Sequence, residues 1–180
     1  NEKRMRTNNI RCVNTEVNAT VVHVAADGDY MGYSVIDDRI KKGAKESVKA
    51  LHGLGVEKTV MLTGDNGATG RAVAYALGVN DVMTELLPQD KVTAVKELMR
   101  ENSGGKLVFV GDGVNDAPVI VNADVGIAMG VMGSDAAIEA AHVVLMDDDS
   151  RKLPLSITIA KRTMRIARQN VWFSLAVKLI

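Results

Sequence analysis

The stretch LVFVGDGVNDAP, residues 107–118, decides the fold of this chain. Its first four residues form a short apolar run that predicts a buried strand. The turn that follows holds Asp112, Asn115 and Asp116 and contains no Lys or Arg. Oxygen ligands suit a hard cation such as Mg²⁺, and ligands of open α/β sheets bind at the carboxyl ends of strands. The stretch therefore predicts a magnesium site for phosphate chemistry; the alternative is an acidic loop that caps the next helix.

Length and composition favour one globular core. The chain has 180 residues, 47% of them hydrophobic, and no net charge, which argues against disorder. Zero net charge and only 3% aromatic residues argue against nucleic acid as a partner. Because the chain begins at Asn1 and finishes inside the apolar run VWFSLAVKLI, we expect it to be a fragment of a longer protein.

The first part of the chain predicts a β-hairpin. Residues 19–26 and 30–36 are β-branched or aromatic runs, and Asp27-Gly28-Asp29 separates them. A Gly-containing turn between two such runs is a hairpin signal. We expect this hairpin to belong to a neighbouring domain.

From about residue 42 onward helical and strand patterns alternate, which predicts a doubly wound parallel sheet with helices on both faces. The predicted helices cover residues 42–54, 66–77, 88–101, 115–122 and 134–140. The predicted strands cover residues 59–62, 81–83, 107–110, 124–128 and 142–145.

A long helical pattern closes the chain. Residues 152–180 are basic at first and apolar after Asn170, as at the cytoplasmic end of a transmembrane helix. The apolar part is only half of what a bilayer requires, so a soluble amphipathic helix is an equal alternative. Ahead of it, Asp147 to Asp149 predict a solvated acidic run near a helix N-terminus.

The turn Thr63-Gly64-Asp65-Asn66 follows a predicted strand directly. A hydroxyl and backbone N–H groups at a strand-to-helix turn can hold a phosphate oxygen. A plain helix cap is the alternative interpretation.

Lys91 lies in or just after the first turn of a predicted helix whose first residue is Pro88. A cation there opposes the helix dipole, which makes sense if the lysine faces an anion. The alternative is a lysine that bends out to solvent, with Asp90 as partial compensation.

Thr63, Lys91 and the pair Asp112 and Asp116 resemble motifs two, three and four of the haloacid dehalogenase superfamily. The strings TGDN, LLPQDKV, GDGVNDAP and VNADVGIAMG closely resemble the phosphorylation domain of P-type ATPases. This resemblance implies a haloacid dehalogenase-like fold, with ATP and Mg²⁺ as cofactors and an aspartyl-phosphate intermediate.

The resemblance also implies a role for each residue. Asp112 would ligate Mg²⁺, with Asn115 and Asp116 supporting the metal and the phosphate. Lys91 would neutralise the phosphoryl oxygens. The remaining implied site residues, which would hold a phosphate oxygen or lie near the nucleotide, are Thr63, Gly64 and Asp65.

The resemblance implies three parts of the chain. Residues 1–37 would end a nucleotide-binding domain, residues 38–150 would form the phosphorylation domain, and residues 151–180 would form a linker helix that starts a transmembrane helix. Asp38 resembles a hinge motif, although Lys42 stands where the family usually has proline. The family's nucleophile lies in a DKTG sequence that occurs nowhere in this chain, so we expect no autophosphorylation by the chain alone.

The strings MGSDAAIEAAHVVLMDDD and LPLSITIAKRTMRIARQN are similar to the heavy-metal subgroup. Asn170 and Lys178, with VWFSLAV between them, resemble the Asn and Lys of zinc, cadmium and lead exporters, which implies a place in the ion pathway. A lysine that reaches the membrane interface is the alternative. The implied partners are ATP, a divalent heavy-metal cation and the lipid bilayer, in a multi-pass protein of the cell membrane with this domain on the cytoplasmic side.

Two other functions stay open at this stage. One is a soluble haloacid dehalogenase-type phosphatase, against which the apolar C-terminus and Lys178 speak. The other is a non-catalytic domain that binds Mg²⁺ or nucleotide, which the missing nucleophile allows.

Overall fold

The computed structural model describes residues 20–36, 40–102, 104–111, 116–130 and 135–179. The chain divides into two compact units, one up to Ile40 and one from Lys41 onward. Each unit is treated by itself below.

The first unit contains an antiparallel hairpin of β1, Thr20–Ala26, and β2, Asp29–Ile36. Asp27 and Gly28 connect the strands and both have positive φ, 51° and 91°. Two positive φ angles in a two-residue loop are typical of the type I′ turn, which matches the twist of paired strands. The hairpin predicted from the sequence is therefore confirmed.

The second unit alternates helices and strands, as the sequence predicts. Its strands are β3, Val60–Leu62; β4, Asp81–Met83; β5, Val108–Gly111; β6, Val125–Met129; and β7, Val143–Leu145. Its helices are α1, Ala44–Gly53; α2, Gly67–Leu77; α3, Pro88–Glu101; α4, Ala117–Asn122; α5, Asp135–Ala140; and α6, Lys152–Leu179.

The parallel pairing is confirmed, but the single continuous sheet is not. Within the described residues β3 pairs only with β4, and β5, β6 and β7 form a separate sheet in that order. One edge of β3 and one edge of β5 consequently have no strand partner among the described residues. None of the five described strands of this unit lies between β3 and β5.

A shared apolar core nevertheless joins the two parallel sheets. Val95 of α3 and Val119 of α4 are fully buried, and Leu62 of β3 and Phe109 of β5 both pack against the cluster that they form. Phe109 also contacts a second cluster, around Ile120 and Ala128. Full burial of a valine or isoleucine contributes about 1.5–3 kcal/mol, so these helix residues hold β3 and β5 in one body.

The acidic run before α6 is largely exposed and lies next to the helix start, as the sequence predicts, and its carboxylates also form surface ion pairs. The Lys41 Nζ lies 2.6 Å from Asp148 Oδ1, and the Arg151 guanidinium lies 2.8 Å from Asp149 Oδ2. Asp147 pairs with Lys152. Lys41 is distant in sequence, which is why the local pattern did not reveal its pairing.

In the described part of the chain, none of the helices combines the length and the apolar character that crossing a membrane requires.

Asp124 forms a hydrogen bond and an ion pair with the residues just before β5. These contacts lead to a prediction about stability at acidic pH. Its carboxylate accepts a hydrogen bond from the Leu107 backbone N–H, 3.0 Å, and pairs with Lys106, 3.0 Å. The Leu107 N–H first, and Lys106 second, lower the pKa of Asp124 below its ordinary value. A lowered pKa in the folded state means that this stability is present above the unfolded pKa, about 3.9, and is lost as pH falls through the folded one.

We therefore expect Asp124→Asn to lower the melting temperature at pH 7 and to lower it less at pH 3. Thermal unfolding followed by circular dichroism at both pH values measures this. Lys106→Gln should have the smaller effect, because the backbone donor remains. Equal losses at pH 7 and pH 3 would contradict the assigned role of the charge.

Candidate active site

Thr63 follows β3 and begins a turn that is closed by its own side chain. The Thr63 hydroxyl donates to Asp65 Oδ2, 2.8 Å, and accepts from the Asp65 backbone N–H, 3.1 Å. Asn66 then caps α2, because its Oδ1 accepts from the N–H groups of Ala68 and Thr69. The single hydroxyl proton of Thr63 is thus already donated, so a phosphate that takes it must displace the bond to Asp65.

Gly70 supports this turn from below, a role that the sequence interpretation missed. It is buried inside α2, and a Cβ there would lie 3.1 Å from Thr63 Cγ2 and 2.5 Å from Thr84 Cγ2. The helix therefore approaches β3 and β4 as closely as only glycine allows. A glycine inside a helix costs about 1 kcal/mol relative to alanine, and that cost was the sequence signal for a packing role.

A short segment connects the Thr63 turn to α3. The Glu85 backbone N–H donates to the carbonyl oxygen of Asp65, 2.8 Å, and the Leu86 N–H donates to that of Thr63, 3.1 Å. Gly64 faces the same segment, since a Cβ there would lie 3.2 Å from the Leu86 carbonyl oxygen. The segment leads directly into α3, so the turn and the first turn of α3 are fixed to each other.

Lys91 does not bend out to solvent. Its Nζ lies 2.9 Å from Asp116 Oδ1, and the two side chains are only 20% and 14% exposed. Asp90 instead accepts a hydrogen bond from the Leu87 backbone N–H at the start of the helix. The structure thus brings together two of the residues selected from the sequence, a cation on α3 and a carboxylate that follows β5.

Asp116 is held in place from two directions. Its carbonyl oxygen accepts the N–H groups of Val119 and Ile120, which fixes it at the start of α4. Its side chain lies over the buried Gly111, where a Cβ would be 2.9 Å from both Asp116 Cβ and Asp116 Oδ2. Gly111 therefore leaves the space that the Asp116 side chain occupies, and it also begins the turn.

Gly111→Ala is expected to destabilise the chain by about 1–3 kcal/mol, because overpacking a filled site forces its neighbours to move. The added methyl group would push the Asp116 carboxylate away from Lys91. Urea denaturation measures the loss of stability. Gly104→Ala is the matched control, since nothing lies within 4 Å of a Cβ there, and its effect should stay within about 0.5 kcal/mol. Equal effects of the two substitutions would rule out the close contact at Gly111.

Some of the selected residues lie outside the described residues. These are Asp112 and Asn115 of the acidic turn and Asp38 of the hinge motif. Among the residues that are described, no three carboxylate, imidazole or thiol groups come together as a metal site. Of the predicted Mg²⁺ ligands, Asp116 lies within the described residues.

Asn170 and Lys178 both lie on the exposed part of α6. At 1.5 Å per residue they are separated by about 12 Å along the helix axis. They share no contact with Lys91 or Asp116 among the described side chains, so the structure places them in a different part of the unit from the acidic site.

Comparison with known proteins adds three findings. A family model for haloacid dehalogenase-like hydrolases matches residues 2–124. The chain is 50% identical over its whole length to the cadmium, zinc and cobalt-transporting ATPase of Bacillus subtilis (strain 168), and 50% identical over 91% of its length to the zinc-transporting ATPase of Synechocystis sp.. It covers 26% and 23% of these relatives, so it spans about a quarter of their length.

A solved structure gives the same result for the fold. The crystal structure of a zinc-transporting PIB-type ATPase in the E2.Pi state superposes with a TM-score of 0.69 at 40% sequence identity. The match covers 84% of this chain and 24% of that one.

Proposed function

Because the chain belongs to the haloacid dehalogenase-like hydrolase family, we propose that it forms the phosphorylation part of an ATP-driven pump for divalent heavy-metal cations of the zinc and cadmium type. The observation that supports this proposal most directly is the half-buried ion pair between Lys91 and Asp116, beside the carboxyl end of β5. Identity of 50% with transporters named for zinc and cadmium supports the choice of cation.

The acidic site fits Mg²⁺. Asp116 offers a carboxylate oxygen, and the sequence just before it contains Asp112 and Asn115, so all three side chains offer oxygen donors, which this ion prefers. Bound there, Mg²⁺ would supply positive charge against a transferring phosphoryl group. In the proposal Asp112 and Asp116 hold the metal, and Asn115 supports the metal and the phosphate.

Lys91 is proposed to change partners during the reaction. Without substrate its ammonium group neutralises Asp116 at 2.9 Å. A metal held by Asp116 would supply the positive charge that this carboxylate receives from Lys91, so the ammonium group would be free to neutralise the phosphoryl oxygens. Phosphoryl transfer depends mainly on positioning and charge neutralisation, which is what this residue provides.

The turn that begins at Thr63 is proposed to hold the phosphate together with Lys91. The Gly64 backbone N–H and the Thr63 hydroxyl bind a phosphate oxygen once the bond to Asp65 opens, and Asp65 faces the nucleotide. The close packing of Gly70 under Thr63 keeps the turn rigid, so that it needs little reorganisation to bind.

The nucleophile is proposed to come from another part of the longer protein, since no DKTG occurs in these 180 residues. Within the described residues, β3 and β5 each have a free edge while Leu62 and Phe109 share one core cluster. A strand that pairs with both edges would carry its aspartate to the carboxyl end of β5, next to Asp116. ATP would then phosphorylate that aspartate.

We extend the proposal to the arrangement of the chain. Residues 1–37 are the end of a nucleotide-binding domain, residues 38–150 are the phosphorylation domain, and residues 151–180 lead into a membrane helix. Asn170 and Lys178 belong to the ion pathway, with Lys178 as a fixed counter-charge, because an ionisable residue inside a membrane is costly and usually functional. The phosphorylation domain then lies on the cytoplasmic side of the cell membrane.

Phosphoenzyme formation by the full-length protein tests this function. With γ-labelled ATP we expect an acid-stable aspartyl-phosphate whose amount rises with Zn²⁺ or Cd²⁺, and Asp112→Ala should abolish it. Asp90→Asn is the control, because Asp90 only caps α3. A label that forms without any heavy metal, or no label at all, would refute the pump and leave the soluble phosphatase or the binding domain.

A further inference from the structure

Glu85 has a strained backbone conformation in the short segment between β4 and α3. Its φ is 60°, and in the described part of the chain Asp27 of the hairpin turn is the only other residue besides glycine with a positive φ. A residue with a Cβ incurs a steric cost in this left-handed region. Such strain persists only where the surrounding structure enforces it, and it concentrates at functional sites. The contacts of Glu85 therefore indicate what its conformation achieves.

The left-handed conformation of Glu85 directs two successive N–H groups toward the turn that begins at Thr63. The Glu85 N–H donates to the Asp65 carbonyl oxygen, 2.8 Å. The Leu86 N–H donates to the Thr63 carbonyl oxygen, 3.1 Å. Successive N–H groups of an extended chain point to opposite sides, so an extended backbone at Glu85 would lose one of these two bonds. The positive φ is what turns both donors toward the same turn.

The carboxylate of Glu85 does not account for this conformation. The residue is exposed, and its carboxylate forms no ion pair with any side chain in the described part of the chain. Glutamate also lacks the short polar side chain with which Asn and Asp stabilise a left-handed backbone. The two backbone hydrogen bonds are therefore the contacts that hold this position.

The backbone between Glu85 and Lys91 is restricted as well. Leu87 has φ −75° and ψ 162°, which is the extended region to which a following proline restricts a residue. The Leu87 N–H donates to the Asp90 carboxylate, 3.0 Å, and the Leu87 carbonyl oxygen accepts from the Lys91 N–H, 3.2 Å. The segment is therefore a rigid connection from the turn after β3 to the first turn of α3.

We propose that Glu85 is a positioning residue for phosphoryl transfer, because its left-handed backbone sets the distance between the turn at Thr63 and the Lys91 ammonium group. This inference rests on the proposed function, in which both groups bind oxygens of one phosphoryl group. A misplacement of about 1 Å can lower the rate of an enzyme about 100-fold. Glu85 touches neither the phosphate nor the metal and acts through the carbonyl oxygens of Thr63 and Asp65.

Substitutions at position 85 of the full-length protein separate the backbone from the carboxylate. Valine resists the left-handed conformation because its Cβ is branched. Glu85→Val should therefore slow phosphoenzyme formation from saturating γ-labelled ATP about 10- to 100-fold, with little change in the KM for ATP. Glycine adopts a positive φ freely, so Glu85→Gly should stay within about twofold of the parent rate. If Glu85→Gly were as slow as Glu85→Val, the carboxylate would be responsible and the inference would be overturned.

Asp27→Val is the matched control, because it places the same branched side chain at the other positive φ, 51°, and should leave the rate within about twofold of the parent. Equal slowing by both valine variants would indicate a general loss of folded protein and overturn the inference. If Glu85→Val does not fold, Glu85→Thr takes its place, since its Cβ is also branched. A parent-like rate in the branched variant would overturn this inference alone, whereas no label in the parent would overturn the proposed function with it.

Discussion

Replacing Lys91 by methionine is expected to slow ATP hydrolysis by the full-length protein at least about 100-fold. Methionine keeps nearly the length and volume of the side chain and removes only its charge. The proposed phosphoryl group would then lose the ammonium that neutralises its oxygens while the acidic turn remains in place. Steady-state phosphate release at saturating Mg²⁺ and Zn²⁺ measures the effect.

The matched control is Lys96→Met, on the same helix. Lys96 is exposed and lies five residues further along α3, so hydrolysis should stay within about twofold of the parent, in line with small effects of surface substitutions. A loss of less than tenfold for Lys91→Met would mean that the lysine neutralises Asp116 only and has no part in the transfer.

Lys91→Met is also expected to change the stability of the chain. This effect reports how Lys91 neutralises Asp116, separately from its proposed role in phosphoryl transfer. In the 180-residue chain Lys91→Met leaves the Asp116 carboxylate, 14% exposed, without its cation, at a cost of about 2 kcal/mol. Asp116→Asn in the same chain should restore part of that loss, because the unpaired charge is removed. A double-mutant cycle followed by urea denaturation measures the coupling between the two side chains.

The sequence predicted the elements of this fold because their signals are local. Asn66 caps α2, Gly78 ends it in the left-handed conformation and Pro88 opens α3, and each of these residues acts on its own neighbours in the chain. The hairpin turn at Asp27 and Gly28 is local in the same sense. Capping and turn residues carry their conformational preference with them.

The pairing of strands and of charged side chains was harder to predict from the sequence, because it depends on residues that are distant from each other in the chain. The parallel pairing was predicted, but the break between β4–β3 and β5–β6–β7 was not read from local patterns, since strand order depends on which edges meet and not on any single strand. The ion pair between Lys41 and Asp148 spans 107 residues and has no local signal. The resemblance placed Lys91 near the acidic turn, but only the structure shows that Asp116 is its partner and that Gly111 makes room for that carboxylate.

The second large effect is expected at Gly126, in the middle of β6. A Cβ at this position would lie 2.3 Å from the carbonyl oxygen of Ile120 and 2.5 Å from Ile120 Cγ2. The first of these atoms belongs to the backbone of α4 and the second to a side chain that is fully buried. Neither can move without disturbing the core that joins α4 to the sheet.

Gly126 is also hydrogen-bonded to the residue that precedes β7, which limits how far this part of β6 can move. Its backbone N–H donates to His142 Nδ1, 3.0 Å, and its carbonyl oxygen accepts from the His142 N–H, 2.9 Å. A shift of β6 away from Ile120 would therefore stretch both bonds to the residue that precedes β7. Each such bond contributes about 1 kcal/mol, in addition to the cost of overpacking.

We therefore expect Gly126→Ala to lower the free energy of unfolding by about 3 kcal/mol or more, as measured by urea denaturation. Gly53→Ala provides the opposite case, since Gly53 is the last residue of α1 and nothing lies within 4 Å of a Cβ there. That substitution should stabilise the chain by about 0.5–1 kcal/mol. If both substitutions changed the free energy of unfolding in the same direction, the close contact between β6 and α4 would not be what restricts position 126. Changes of opposite sign in the free energy of unfolding would show that an added methyl group destabilises the chain at the contact between α4 and the sheet. The same contact positions Asp116 at the acidic site.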